Sequence, residues 1–340
     1  MNTQNTTMRV VLAARPVGKP KGTDFRLEEV PVPDPGAGQL LLRTRYFSLD
    51  PYMRGRMDAV DSYSPYVAIG DVMVGQSIAD VLISHHPDYN VGDIVLAHTG
   101  WQTLSISDGE RIRKLDPIDA PITTGLGVLG MPGFTAYVGM RLIAKPKPDE
   151  TVVVAAASGP VGSLVGQLAR RAGARAVGIA GGPKKCAFVR DEFAFDVAID
   201  HYAPDFKQQL AAACPNGIDV YFENVGGAVW TAVWPLLNRF ARVPVCGLVS
   251  QFGQTAPPGP DRLPATMRQI LSKSLTLRGF INYDHVELFP DFLGEVGAGI
   301  RSGEIKYRED FVDNLENAPS AFIGMLEGRN FGKVIVRIAM

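Results

Sequence analysis

The chain has 340 residues, 46% of them hydrophobic and 20% charged, with a formal net charge of −1. That length ordinarily divides into two domains with sizeable cores, and so even a charge balance gives no support for a nucleic-acid partner or an anionic membrane surface. No apolar run approaches the ~20 residues of a membrane helix.

The polar start MNTQNTTMRV lacks the apolar core of a signal peptide, so a cytoplasmic location is expected. Residues 8 to 50 then read as strands broken by proline and glycine: RVVLAARP, FRLEEVPVPDPGAG and QLLLRTRYFSLDP. Short β-branched or leucine runs between such turns indicate an antiparallel or mixed β domain. DVMVGQSIADVLI and VGDIVLAHTG continue it. This half holds no cysteine, and His85, His86 and His98 lack ligand-like partners. With neither C-x-x-C nor H-E-x-x-H in the chain, no metal site is expected and these histidines read as ordinary surface residues. Tyr63 and Tyr66, in DSYSPYVAIGD, fit exposed loop aromatics or the cap of an apolar cleft, with the first reading favoured.

The pattern changes near residue 130. GMPGFTAYVGMRLIA reads as a turn and a helix, with Phe134, Tyr137, Val138 and Leu142 at helical spacing. TVVVAAA is apolar on both faces, as buried parallel strands are. A helix follows in SGPVGSLVGQLARRAG, where Val161, Leu164, Val165, Leu168, Ala169 and Ala172 form one stripe. RAVGIAG is a second buried strand. AFVRDEFAF, DFKQQLAAAC and AVWTAVWPLLNRF read as helices alternating with the strands IDVYFENVGG and ARVPVCGLVS. Trp230 and Trp234 stand at i,i+4 spacing and read as core. Strand and helix alternating in this way predict a doubly wound parallel sheet. TAPPGPDRLP, residues 255 to 264, reads as a stiff loop, and the tail NAPSAFIGMLEGRNFGKVIVRI as a helix, a glycine stop and a strand returning to the first domain. The expected division is 1–130 with 310–340, and 131–309. The three cysteines, Cys186, Cys214 and Cys246, are an odd set without paired spacing, which argues against a disulfide framework and for buried thiols.

Between the first buried strand and its helix the spacing is Ala156-x-x-Gly159-x-x-Gly162. Small residues there let the backbone approach a pyrophosphate seated on the helix N-terminus. A strand before, an amphipathic helix after and a second buried strand next make this the context of a dinucleotide site. About 20 residues further on, where an acid would hold the ribose of NAD, stands GIAGGPKK, with no acid from Gly178 to Lys185. A lysine there attracts a 2′-phosphate that a carboxylate would repel, so NADP(H) is expected over NAD(H). The alternative is that Lys184 and Lys185 are solvated residues opening the next helix, although cations are mildly unfavourable at a helix start.

Several phrases together resemble one family: DPYMRGRM (50–57), GMPGFTAY (130–137), AAASGPVGSLVGQLA (155–169), GIDVYFENVGG (217–227), PVCGLVS (244–250), PPGPDRLP (257–264) and LENAPSAFIGMLEGRNFGKVIVRI (315–338). The chain is similar over nearly its whole length to the zinc-independent medium-chain dehydrogenases/reductases, in the branch of prostaglandin reductases, alkenal double-bond reductases and bacterial NADPH-dependent curcumin reductases. The resemblance implies an α/β chain: a GroES-like β-rich substrate domain, a Rossmann domain and a cleft between them. It implies NADPH-dependent reduction of the C=C bond of an α,β-unsaturated ketone or aldehyde, with no metal. By similarity Gly159, Pro160, Val161 and Gly162 would contact the pyrophosphate and Lys185 the 2′-phosphate. Asn224, the stretch from Cys246 and Gly247 to Phe252, and Asn330 would complete the cofactor site, with Phe252 a possible gate in its loop. Tyr52 would line the substrate cleft; its expected loop position in DPYMR makes it the candidate donor to the carbonyl, the alternative being a tyrosine packing a turn. The tyrosine that some relatives carry before the dipeptide matched by Gly279-Phe280 falls at or near Ser272, which leaves Tyr283 as the substitute donor. Members of the family are often homodimers, though no feature of the pattern marks an interface. Two other functions fit the same features: an NADPH:quinone reductase, and an NADPH-binding sensor or scaffold without turnover.

Overall fold

The computed structural model describes residues 6–117, 120–253 and 261–339. The chain forms two units: one runs to Gly127, takes in Phe252 and resumes at Glu309; the other runs from Val128 to Gln251 and again to Arg308.

In the first unit β1 (Thr6–Leu12) pairs antiparallel with β2 (Phe25–Pro31), Thr6 opposite Pro31 and Leu12 opposite Phe25. The strand β3 (Leu40–Ser48) then leads through Asp50 and Pro51 into a short helix, α1 (Tyr52–Arg56). Strands β4 (Ser77–Ser84), β5 (Ile94–Ala97), β6 (Leu104–Ser107) and β7 (Arg113–Lys114) follow. β3 pairs antiparallel with β4 and also with β6.

The second unit opens with α2 (Met131–Val138), prolonged by a π-helical turn, Gly139–Ala144. Then come β8 (Thr151–Ala155), α3 (Pro160–Arg171), β9 (Arg175–Ala180), α4 (Pro183–Asp191), β10 (Val197–Asp200), α5 (Phe206–Ala213), β11 (Ile218–Phe222), α6 (Gly227–Val233), β12 (Leu237–Val245), α7 (Leu263–Lys273), β13 (Thr276–Gly279) and α8 (Phe289–Ser302). The strands lie in the order β10-β9-β8-β11-β12-β13, every pair parallel. Successive side chains of β8 serve opposite faces: Val152 and Val154 join Leu164, Val165 and Phe292 in one core, while Val153 and Ala155 join Leu210, Val229 and Val233 in the other. A strand that feeds two cores must be apolar throughout, which is why TVVVA shows no alternation.

The chain then returns to the first unit as β14 (Glu309–Asp313), α9 (Ala318–Leu326) and β15 (Lys333–Arg337). β15 lies between β14, to which it is parallel, and β3, with Ile335 opposite Ser48. The core of this unit is built on Trp101, fully buried, with Phe25 at 5.7 Å, Phe47 at 5.9 Å and Phe322 at 5.5 Å between ring centroids.

Three expectations need correction. AVWTAVWPLLNRF is not one helix: α6 stops at Val233, a 3-10 turn spans Trp234–Leu236, and Leu237 already belongs to β12. Pro235 is the cause, since it lacks an amide hydrogen and its ring clashes with the preceding turn. Trp230 and Trp234 lie with ring centroids 4.8 Å apart, tilted by 38°, but are only half-buried, packed on the edge of a core rather than in it. Tyr52 opens α1 instead of standing on a loop. Most of the TAPPGPDRLP loop lies outside the described residues; α7 begins at Leu263. Among the described residues no helix is long and apolar enough to cross a membrane.

Candidate cofactor site

In a doubly wound sheet ligands bind beyond the carboxyl ends of the strands, where the strand order reverses; here that is between β8 and β11. Beyond β8, Ala156 takes a left-handed φ of 49°. The amide of Gly159 donates to the Ala156 carbonyl at 2.9 Å, closing a tight turn. The helix α3 starts directly after, with Pro160 in its first position and no side-chain cap on its N-terminus. Proline fits there because its missing amide hydrogen would have had no partner. A Cβ on Gly162 would lie 2.5 Å from the Ala156 oxygen and 2.9 Å from the Ala157 Cα; one on Gly159 would lie 3.2 Å from the same oxygen. The helix therefore approaches the turn as closely as a chain without side chains permits. Its first-turn amides, with the positive end of the helix dipole, form an anion seat.

One strand further out, Lys185 is half-buried in the first turn of α4, beside exposed Lys184. The carboxylate of Asp200, last residue of β10, accepts from the amides of Gly182 at 2.8 Å and Tyr202 at 2.9 Å. This ties the turn after β9 to the segment after β10. The His201 and Tyr202 rings stand 4.1 Å apart, and a Cβ on Gly181 would lie 2.9 Å from Tyr202 Cε2 and 3.2 Å from His201 Nε2. Burial holds the His201 imidazole below its usual pKa, the nearby charge of Lys185 adds to this, and Asp200 opposes it. His201 and Tyr202 were not singled out by the sequence; the available signal was their place directly after the strand that neighbours β9.

On the other side of β8, Asn224 follows β11. Its Oδ1 is buried and has no hydrogen-bond partner among the described residues. The adjacent Glu223 is 2% exposed. Its Oε1 accepts from the Tyr221 hydroxyl at 3.1 Å and from the amides of Val225 at 2.8 Å and Gly226 at 2.7 Å, while Oε2 has no such partner. Burial raises this carboxyl above the usual range, against the lowering effect of those donors. The Glu223 carbonyl accepts from the amides of Cys246 at 2.9 Å and Gly247 at 3.3 Å. Asn224, Cys246 and Gly247 are thus gathered at neighbouring strand ends, with Glu223 an unanticipated tie. The Cys246 thiol is driven far up by burial, and that of Cys214 to about 11 for the same reason.

Phe252, Asn330 and Tyr52 belong to the first unit. A Cβ on Gly55 of α1 would lie 3.9 Å from Phe252 Cε1, and Asn330 donates to the Gly332 carbonyl at 2.7 Å. Residues 254–260, which follow Phe252 in the loop expected to gate, lie outside the described residues. Tyr52 is half-buried on the Trp101 core. The buried Arg56 guanidinium stands 5.8 Å from the Tyr52 ring centroid and 4.4 Å from that of Tyr63. Tyr63 and Tyr66 are exposed, each with an arginine over its ring. Asp50, two residues before Tyr52, is buried and accepts from the fully buried ammonium of Lys333, which also donates to the Leu49 carbonyl at 2.8 Å; Ser48 donates to the other Asp50 oxygen. Tyr283 lies in a 3-10 turn, Asn282–Leu288, of the second unit and is 53% exposed. Ser272 is exposed in α7 and donates to the Gln269 carbonyl at 3.3 Å.

Residues 8–115 match a family model described as the N-terminal domain of oxidoreductase, and residues 160–296 one described as zinc-binding dehydrogenase. Among the described residues, however, no three His, Cys, Asp or Glu are grouped to hold a metal ion, so the donors present do not fit zinc. The chain is 55% identical to the NADPH-dependent curcumin reductase of Escherichia coli K12, over 97% of this chain and 96% of that one. It is 37% identical to the NADP(+)-dependent 2-alkenal reductase of Nicotiana tabacum, over 97% of each. The crystal structure of CurA from Vibrio vulnificus in complex with NADPH superposes with a TM-score of 0.95 at 50% identity, covering 98% of this chain and 99% of that one.

Proposed function

Because the chain belongs to the zinc-independent medium-chain dehydrogenases/reductases, in the branch of curcumin, alkenal and prostaglandin reductases, we propose that it reduces the C=C bond of α,β-unsaturated ketones and aldehydes at the expense of NADPH. The observation that carries this reading is the near-full-length identity with the bacterial curcumin reductase.

NADPH, when bound, supplies the hydride that reaches the β-carbon. The residues present fit it. The close approach of Gly162 to the Ala156 carbonyl supports a pyrophosphate seat formed by Gly159, Pro160, Val161 and Gly162. The amides of Val161 and Gly162 donate there; Pro160 contributes its fixed φ. Lys185 meets the 2′-phosphate. The unpartnered Asn224 Oδ1 accepts a hydrogen from the cofactor, and Glu223 holds the turn that presents it. The backbone at Cys246 and Gly247 completes the cofactor's surroundings within this unit.

On the substrate side, Tyr52 donates its hydroxyl hydrogen to the carbonyl oxygen, and Tyr283 is the second candidate. A preorganised donor to a developing enolate lowers the barrier by about 3 kcal/mol. In this reading residues 1–130 with 310–340 form the GroES-like substrate domain, and 131–309 the Rossmann cofactor domain. A homodimer is proposed through the outer strand β13 together with the exposed Leu263, Met267 and Leu271 of α7. Light scattering should then give twice the 36.7 kDa of the chain; the mass of one chain would contradict it.

The reaction is tested by the product. Incubation with an enone and NADPH should yield the saturated ketone, two hydrogens heavier by mass spectrometry, at a higher kcat/KM than a simple quinone gives. Recovery of an allylic alcohol, or faster turnover of the quinone, would contradict the proposal.

A further inference from the structure

The segment after β10 sets a nitrogen base, His201, against the turn after β9 that leads to Lys185. We infer that His201 is a specificity-determining residue for the cofactor's 2′-phosphate: its imidazole takes up a proton when the phosphate binds, so the preference for the phosphorylated cofactor falls as the pH rises above neutrality. This rests on the reading of Lys185 given above.

The geometry is particular to three neighbouring segments. Gly181 opens the turn after β9 without a side chain, and the space its Cβ would occupy is bounded by His201 Nε2 at 3.2 Å and the Tyr202 ring at 2.9 Å. The Asp200 carboxylate fixes both sides by accepting from Gly182 and Tyr202. Lys185, in the first turn of α4, is near enough for its charge to act on the imidazole. The imidazole is held partly out of water, which favours its neutral form; Asp200 opposes this and the charge of Lys185 adds to it.

A phosphate monoester brings a charge of about −1.5 to −2 at pH 7. Placed among these groups, it offsets Lys185 and adds to the effect of Asp200, favouring imidazolium against the burial that holds the ring neutral, and offers a second charge-assisted hydrogen bond. The other titratable groups around it are Lys184, Lys185 and Cys186 on α4, and Asp200 and Tyr202 beside His201. Burial pushes the Cys186 thiol up. The phosphate's own second ionisation, near 6, acts in the opposite sense, because cations bind the dianion more tightly. A loss of affinity with rising pH therefore reports the imidazole.

The test uses 2′,5′-ADP and 5′-AMP, which differ by the 2′-phosphate alone, titrated calorimetrically into the full chain at pH 6.5, 7.5 and 8.5. The advantage of 2′,5′-ADP should shrink roughly threefold or more across that range, as the imidazole loses its proton. At pH 7.5 the heat should vary with the buffer's ionisation enthalpy, revealing proton uptake. In His201→Gln the advantage should be smaller at pH 6.5 and should not fall with pH, while 5′-AMP affinity is unchanged. The same pH course in both proteins, or no proton uptake by the unaltered protein, would overturn the inference while leaving the Lys185 reading in place. Equal affinity for the two nucleotides at every pH in the unaltered protein would overturn both.

Discussion

At the scale of single residues, the tightest constraint falls on Gly162. A methyl group there would lie 2.5 Å from a backbone oxygen and 2.9 Å from a backbone Cα, neither of which can yield as a side chain can. Gly162→Ala should push α3 away from the turn and weaken NADPH binding tenfold or more, about 1.4 kcal/mol, with a smaller effect in Gly159→Ala, where the contact is 3.2 Å. Fluorescence titration with NADPH checks the order; equal affinities would show that the turn does not hold the pyrophosphate. Glu223 and Glu309 carry a different signature. Burial raises both carboxyls above the ordinary value. The folded chain therefore holds protons that the unfolded chain has lost, and these groups make stability fall as pH rises from about 4.5 through their folded values. Glu223→Gln keeps an oxygen for the amides of Val225 and Gly226 but cannot ionise. Thermal unfolding from pH 4.5 to 8 should show a Tm gap between variant and parent that moves in the variant's favour as pH rises. A gap independent of pH would mean that Glu223 titrates normally.

At the scale of elements, the buried pair of Lys333 and Asp50 joins the start of β15 to the turn between β3 and α1, the turn that presents Tyr52. Removing one partner strands a buried charge, so Lys333→Met should cost roughly 3–5 kcal/mol of stability, and the double change with Asp50→Leu should recover much of it. Denaturant unfolding reads this directly, and additive losses would show that the two charges are not coupled. Elements were most legible where a single local rule decided them: TVVVA as a strand serving two cores, α3 from its stripe, the glycine turn from its spacing. They were least legible where two rules competed. AVWTAVWPLLNRF carries a helical spacing, yet Pro235 breaks the ladder and the remainder pairs as β12. DPYMR carries a proline that reads as a turn, yet proline is also at home at a helix start, and α1 forms.

At the scale of the whole molecule, the sheet order makes the candidate cofactor site, because it sets side by side the ends of β9, β8, β11 and β12. Gly159, Gly162 and Lys185 could be read from local spacing along β8, α3, β9 and α4. Asn224, Cys246 and Gly247 came only with the family resemblance. Glu223, His201 and Tyr202 escaped, since their importance depends on which strand ends adjoin, and nothing in the local pattern encodes that β10 lies beside β9 or β12 beside β11. The net charge of −1 conceals the local balance that matters, a lysine in place of an acid after β9. The most direct measurement of the account is the rate of NADPH and NADH oxidation, followed at the same concentrations with one aromatic enone such as curcumin. Turnover with NADPH is expected, with a kcat/KM for NADH lower by about an order of magnitude or more and Lys185→Ala narrowing that difference. Equal use of both cofactors would contradict the 2′-phosphate site, and no turnover with either would contradict the reductase itself.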